Sequence, residues 1–142
     1  MELHDLVSEW LRYSKTDLDV AKQLYECMHP RPLEIICYHA QQSAEKALKA
    51  VLISNNVMVP KTHDMNKLRE MCSEYDSSFS EITTQCSSLH PYSIMPRYLF
   101  EIEILDSDAE IAISKSTEIY DWITLKISDN IEKTCGNEAE VS

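Results

Sequence analysis

Apolar residues recur along this chain at intervals of three and four, the spacing that gathers side chains on one face of a helix. Between positions 3 and 28, Leu3, Leu6, Val7, Trp10, Leu11, Leu18, Ala21, Leu24, Tyr25 and Met28 keep that register, while Glu9, Arg12, Lys15, Asp19 and Lys22 take the other faces. This predicts a first helix. Pro30 and Pro32 of HPRP end it, because proline lacks the backbone N–H that would continue the ladder. A second helix is predicted over 33–54, with Ile36, Ala40, Ala44, Ala47, Leu48, Val51 and Leu52 as its apolar stripe. SNNVMVPKTH connects it to a third, shorter helix carrying Met65, Leu68, Met71, Cys72 and Tyr75, with Thr62 or Asp64 as its cap.

Ser78 and Glu81 stand in capping-box spacing and predict the start of a fourth helix, with Phe79, Ile82, Cys86 and Leu89 inward. HPYSIMPRYLFEIEIL, interrupted by Pro91 and Pro96, predicts an extended loop. The last helix is expected from Asp106 to Ser128, with Ala109, Ala112, Ile113, Ser116, Ile119, Tyr120, Ile123 and Ile127 as its buried stripe. Residues 129–142 are polar and acidic and are expected to form a disordered tail. Three long and two short helices with mostly short connectors predict an all-α fold, an up-and-down helical bundle of about five helices over residues 1–128.

Composition sharpens this picture. The chain has 142 residues, 44% hydrophobic and 26% charged, which suits one globular domain. A single glycine, Gly136, argues against phosphate loops, hairpin turns and most β folds. The net charge of −11 opposes nonspecific binding to duplex nucleic acid or anionic lipid. No segment reaches the ~20 apolar residues of a membrane span, and the N-terminus has no signal-peptide pattern. Cys37, Cys72 and Cys86 fall at apolar helical positions and read as reduced core thiols, so a cytoplasmic location is expected. The histidines show no metal-ligand spacing, so neither a metal nor another cofactor is expected.

The second helix carries a polar set that a plain core helix does not need. His39, Gln42 and Lys46 share one side, and Gln41, Glu45 and Lys49 form an adjacent row. Ala40, Ser43, Ala44, Ala47 and Ala50 let another helix approach closely. Taken alone, Glu45 and Lys49 read as an exposed i,i+4 pair and His39 as a half-buried, hydrogen-bonded residue.

The string YHAQQSAEKALKAVL, residues 38–52, closely resembles the hallmark helix of HEPN domains. In the same order, WLRYSKTDLDVAKQLY resembles that family's first helix and PKTHDMNKL its connector into the third helix. PRYL stands where the family often has an Arg-Tyr pair before the last helix, so the resemblance covers residues 5 to 127. It implies a helical bundle that forms homodimers. It also implies, for many members, a metal-independent ribonuclease of a toxin or antiviral system, using an arginine, four to six intervening residues and a histidine. Here the sequence departs from the pattern: no histidine follows Arg97, and Arg31 precedes His39 by too long a spacer. Members without that motif bind nucleotides or partner a small nucleotidyltransferase, and these are the closer resemblance.

The resemblance therefore implies noncatalytic binding of a nucleotide or RNA end, accessory to a nucleotidyltransferase in a toxin–antitoxin or defence module. The candidate ligand-binding residues are His39, Gln42, Lys46, Lys61, His63, Arg97 and Tyr98, with no catalytic residue assigned. Lys46, Lys61 and Arg97 offer cations to a phosphate. Tyr98 offers a stacking ring and Gln42 an amide for a base edge. Each also has a plainer reading: Lys61 as a solvated loop cation, His63 as a loop-packing residue, Tyr98 as a loop anchor and Arg97 as the partner of Glu101 or Glu103. Two other functions stay open, a divergent metal-independent ribonuclease using Arg97 with His39 or His63, and a protein–protein interaction module.

Overall fold

Small residues make the second helix the axis of the fold. The computed structural model describes residues 2–93 and 103–141, with side chains described through Asp129. Helix α1 spans Leu3–Cys27, α2 Leu33–Ser54, α3 Met65–Ser73, α4 Thr83–Leu89 and α5 Asp106–Val141, with short 3-10 segments at Ser77–Ile82 and His90–Tyr92. The bundle is all-α, with no strand among the described residues. Along α2, Ala40, Ala44, Ala47 and Ala50 have no exposed surface, so α1 and α5 come close on either side.

Two serines mark how close the helices approach. The Ser14 hydroxyl of α1 donates to the Ser43 carbonyl of α2 at 2.6 Å, and the Ser116 hydroxyl of α5 donates to the Ala40 carbonyl at 2.7 Å. Each satisfies a buried hydroxyl where a larger side chain would hold the helices apart. Residues rise along α1 as their partners fall along α2, so the two run antiparallel.

Most expected inward residues are inward. Val7, Leu18 and Ala21 of α1 are buried, as are Met65, Leu68 and Cys72 of α3, Phe79, Ile82, Cys86 and Leu89, and Ala109, Ala112, Ser116, Ile119, Ile123 and Ile127 of α5. Phe79 meets the Trp122 ring edge-on, with centroids 4.7 Å apart. Burial pushes the thiols of Cys37, Cys72 and Cys86 up to about 12, which leaves them unreactive.

The helix ends explain themselves locally. α2 closes with Asn56 at φ 61°, while Asn56 N–H bonds to Ile53 and Val57 N–H to Leu52, each at 2.9 Å. In this nearly glycine-free chain, asparagine supplies the left-handed residue that such a terminus needs. Of the two expected caps of α3, Asp64 accepts from Asn66 and Lys67, and Thr62 accepts from the Asp64 N–H.

Three expectations are corrected. Tyr75 lies beyond α3 and is half exposed, because the helix ends at Ser73. The element after it is capped by Asp76, not Ser78: the Asp76 carboxylate takes both the Ser78 N–H and its hydroxyl, and the chain begins as a 3-10 segment before α4. The backbone of the last helix continues past Ser128 to Val141, and Ile127 is the last buried residue among those whose side chains are described.

Candidate functional site

On α1, Asp17 follows Ser14 by three residues and therefore turns toward the same neighbour, α2. There its carboxylate gathers two of the candidate residues. Oδ1 lies 3.0 Å from Nδ1 of His39, and Oδ2 accepts from Nζ of Lys46 at 2.5 Å. Burial raises the Asp17 pKa, but the hydrogen bonds and positive charge from His39 and Lys46 outweigh it and hold the carboxyl below the usual carboxylate range.

The sign of that shift sets a pH dependence. A carboxylate depressed by folding contributes stability above its unfolded value of about 3.9 and loses it as pH falls through the lower, folded value. Denaturant melts of the wild type and Asp17→Asn at a series of pH values should differ near neutrality. The two should converge as acid protonates Asp17. A constant gap into strong acid would show that Asp17 is not held in this ion-paired form.

A second cluster lies along the next row of α2, and it is not the exposed pair expected from spacing. Glu45 is 3% exposed and Lys49 6%, with Nζ 3.6 Å from Oε2. The other Glu45 oxygen sits 2.8 Å from Nδ1 of His63, which the PKTHD connector brings back across α2. Gln42 donates to Gln41 at 2.9 Å and more weakly to Glu45 at 3.5 Å, which joins the two rows. The Gln41 side-chain nitrogen is buried without a hydrogen-bond partner among the described residues.

The candidates thus divide. His39 and Lys46 meet on Asp17, while Gln42 and His63 meet on Glu45. Lys61 is exposed and forms no ion pair among the described residues. Arg97 and Tyr98 lie outside the described residues. Arg31 plays a structural part, since it donates to the Tyr25 carbonyl at 2.7 Å, covers the Tyr25 ring and faces Asp106 on α5.

Beside the first cluster opens a cleft of about 490 Å³ lined by Leu6, Glu9, Trp10, Tyr13 and Lys46. Leu6, Trp10 and Tyr13 follow at i, i+4 and i+7, so one face of α1 forms its wall. Periodicity alone puts Trp10 in the core stripe and singles out neither Asp17 nor Tyr13. The available signal is polar: Ser14 and Asp17 interrupt the inward register of α1 between Trp10 and Leu18. Among the described residues no group of three His, Cys, Asp or Glu side chains stands close enough to hold a metal ion. Among them, too, no helix is long and apolar enough to cross a membrane.

A family model described as HEPN domain matches residues 7–128. "Putative toxin MJ1304" of Methanocaldococcus jannaschii is 33% identical over 95 residues, 63% of this chain and 60% of that protein. The match therefore spans less than two thirds of the relative's length. The crystal structure of TT1696 from Thermus thermophilus has a TM-score of 0.72 to this chain, covering 84% of it and 97% of the other. At 21% identity that likeness establishes the fold alone.

Proposed function

The chain belongs to the HEPN domain family, and on that premise we propose that it serves in a toxin–antitoxin or defence module by binding a nucleotide or RNA end without cleaving it. The observation that carries this reading is the Asp17–His39–Lys46 cluster at the edge of an aromatic-walled cleft. Asp17 fixes both cationic-type groups in place. Lys46 keeps further N–H donors beyond the one it gives to Asp17, and His39 keeps Nε2. A relative named as a toxin supports the module. The missing Arg-spacer-His pattern supports binding without cleavage. Self-association and a nucleotidyltransferase partner belong to the same proposal. Ile111 and Leu125 of α5 are both more than half exposed, apolar positions that self-association would cover.

One feature favours a second reading, the divergent ribonuclease. A carboxylate on Nδ1 of His39 orients the ring and leaves Nε2 for proton transfer, the arrangement of a general base.

Calorimetry with a nucleotide panel and a short single-stranded RNA, joined to a cleavage gel, separates the two. Binding should be weak and salt-sensitive. Lys46→Ala and Arg97→Ala should each weaken it by ~1.5–3 kcal/mol, the scale of a hydrogen bond to a charged group. The exposed Lys67→Ala should leave it unchanged. Affinity indifferent to Lys46, His39 and Arg97 would remove the site assignment. RNA cut by wild type and spared by His39→Ala would establish the ribonuclease.

A further inference from the structure

The cleft beside Lys46 differs from an ordinary phosphate site in its charge. Among the described residues the cations at or beside it already have carboxylates: Lys46 holds Asp17 at 2.5 Å and Arg12 holds Glu9 at 2.8 Å. Glu9 also lines the opening. What the cleft offers in quantity is aromatic surface, Trp10 partly buried at its wall and Tyr13 half exposed, with Arg12 lying 4.6 Å from the Tyr13 ring centre.

We infer that this cleft holds one nucleobase stacked against Trp10 and Tyr13, and that it takes a nucleoside or nucleoside monophosphate in preference to a triphosphate. The inference rests on the nucleotide-binding reading above and deepens it. At about 490 Å³ the space falls within the ~300–1,000 Å³ of small-ligand sites. A base presents a π face that stacks on aromatic side chains whatever its identity. Glu9 can accept from an exocyclic amino group at the base edge, the type of contact by which a carboxylate reads cytosine. One phosphate can use the remaining donors of Lys46. Each further phosphate meets a chain of net charge −11 with no unpaired cation lining the cleft among the described residues.

Trp10 fluorescence reports the cleft directly, and calorimetry reports binding anywhere on the protein. The probes are adenosine, adenosine monophosphate, adenosine triphosphate and inorganic phosphate. Trp122 packs against Phe79 in the core and supplies a constant background. The monophosphate should quench the emission saturably, and the change should vanish in Trp10→Phe. Tyr13→Ala, at a half-exposed position that leaves the core intact, should weaken the monophosphate about tenfold, and Tyr13→Phe should restore it. The triphosphate should bind several-fold more weakly, and inorganic phosphate should give no quenching. A triphosphate that binds more tightly than the monophosphate overturns the inference. So does nucleotide binding seen by calorimetry that ignores Tyr13 and leaves Trp10 unchanged, while the broader binding reading survives. No heat from any nucleotide or short RNA removes both together.

Discussion

Ala47→Asp should leave a protein that melts far below the wild type. Ala47 sits on α2 with no exposed surface, where helices approach through small side chains. A carboxylate there is both too large and unpaired. An uncompensated buried charge costs about 3–5 kcal/mol, a large share of the roughly 5–15 kcal/mol that holds a whole domain together. For a chain of this size, 1 kcal/mol moves the melting temperature by about 2–4 °C, so a fall of roughly 6–20 °C is expected. Thermal melts followed by circular dichroism are sufficient. A melting temperature equal to that of the wild type would mean that Ala47 faces solvent and that the helix packing described above is wrong.

Glu45→Gln should destabilise nearly as much, for a different reason. The substitution keeps the shape and removes only the charge. Lys49, 6% exposed, then loses the carboxylate that faces it, and His63 loses its acceptor's charge. Removing one partner of a buried ion pair typically costs about 3–5 kcal/mol, whereas replacing both with apolar groups is often neutral. Pairing Glu45→Gln with Lys49→Met should therefore recover most of the loss. A double-mutant cycle in denaturant measures it, and a coupling near zero would show that the two charges act independently. The exposed Arg12–Glu9 pair, at a shorter 2.8 Å, should by contrast contribute little, because water screens both charges.

The candidate site is legible in the sequence only in part. His39, Gln42 and Lys46 group by their spacing because a single helix fixes the angle between its own residues. Their partners do not. Asp17 lies on another helix, and no spacing rule relates it to His39. His63 meets Glu45 only because the connector after α2 folds back over that helix. The cleft arises from one face of α1 standing beside Lys46, so nothing in α1 alone marks Tyr13.

The sequence by itself determined the order of the helices, most of their inward faces and the close packing around α2. These follow from local periodicity, from proline at the first helix end and from a run of small side chains, all of which act over a few residues. Tertiary structure decided which charges are buried and which meet. Spacing makes the Glu45–Lys49 row look exposed because a helix's polar face is ordinarily left to water. Whether water stays there depends on what the rest of the chain lays across it. In this protein both charges are buried, His63 crosses over from the connector, and Asp17 reaches in from α1. Desolvation and ion pairing depend on every atom within a few ångströms, wherever it lies in the chain, so that part of the site exists only in the folded molecule.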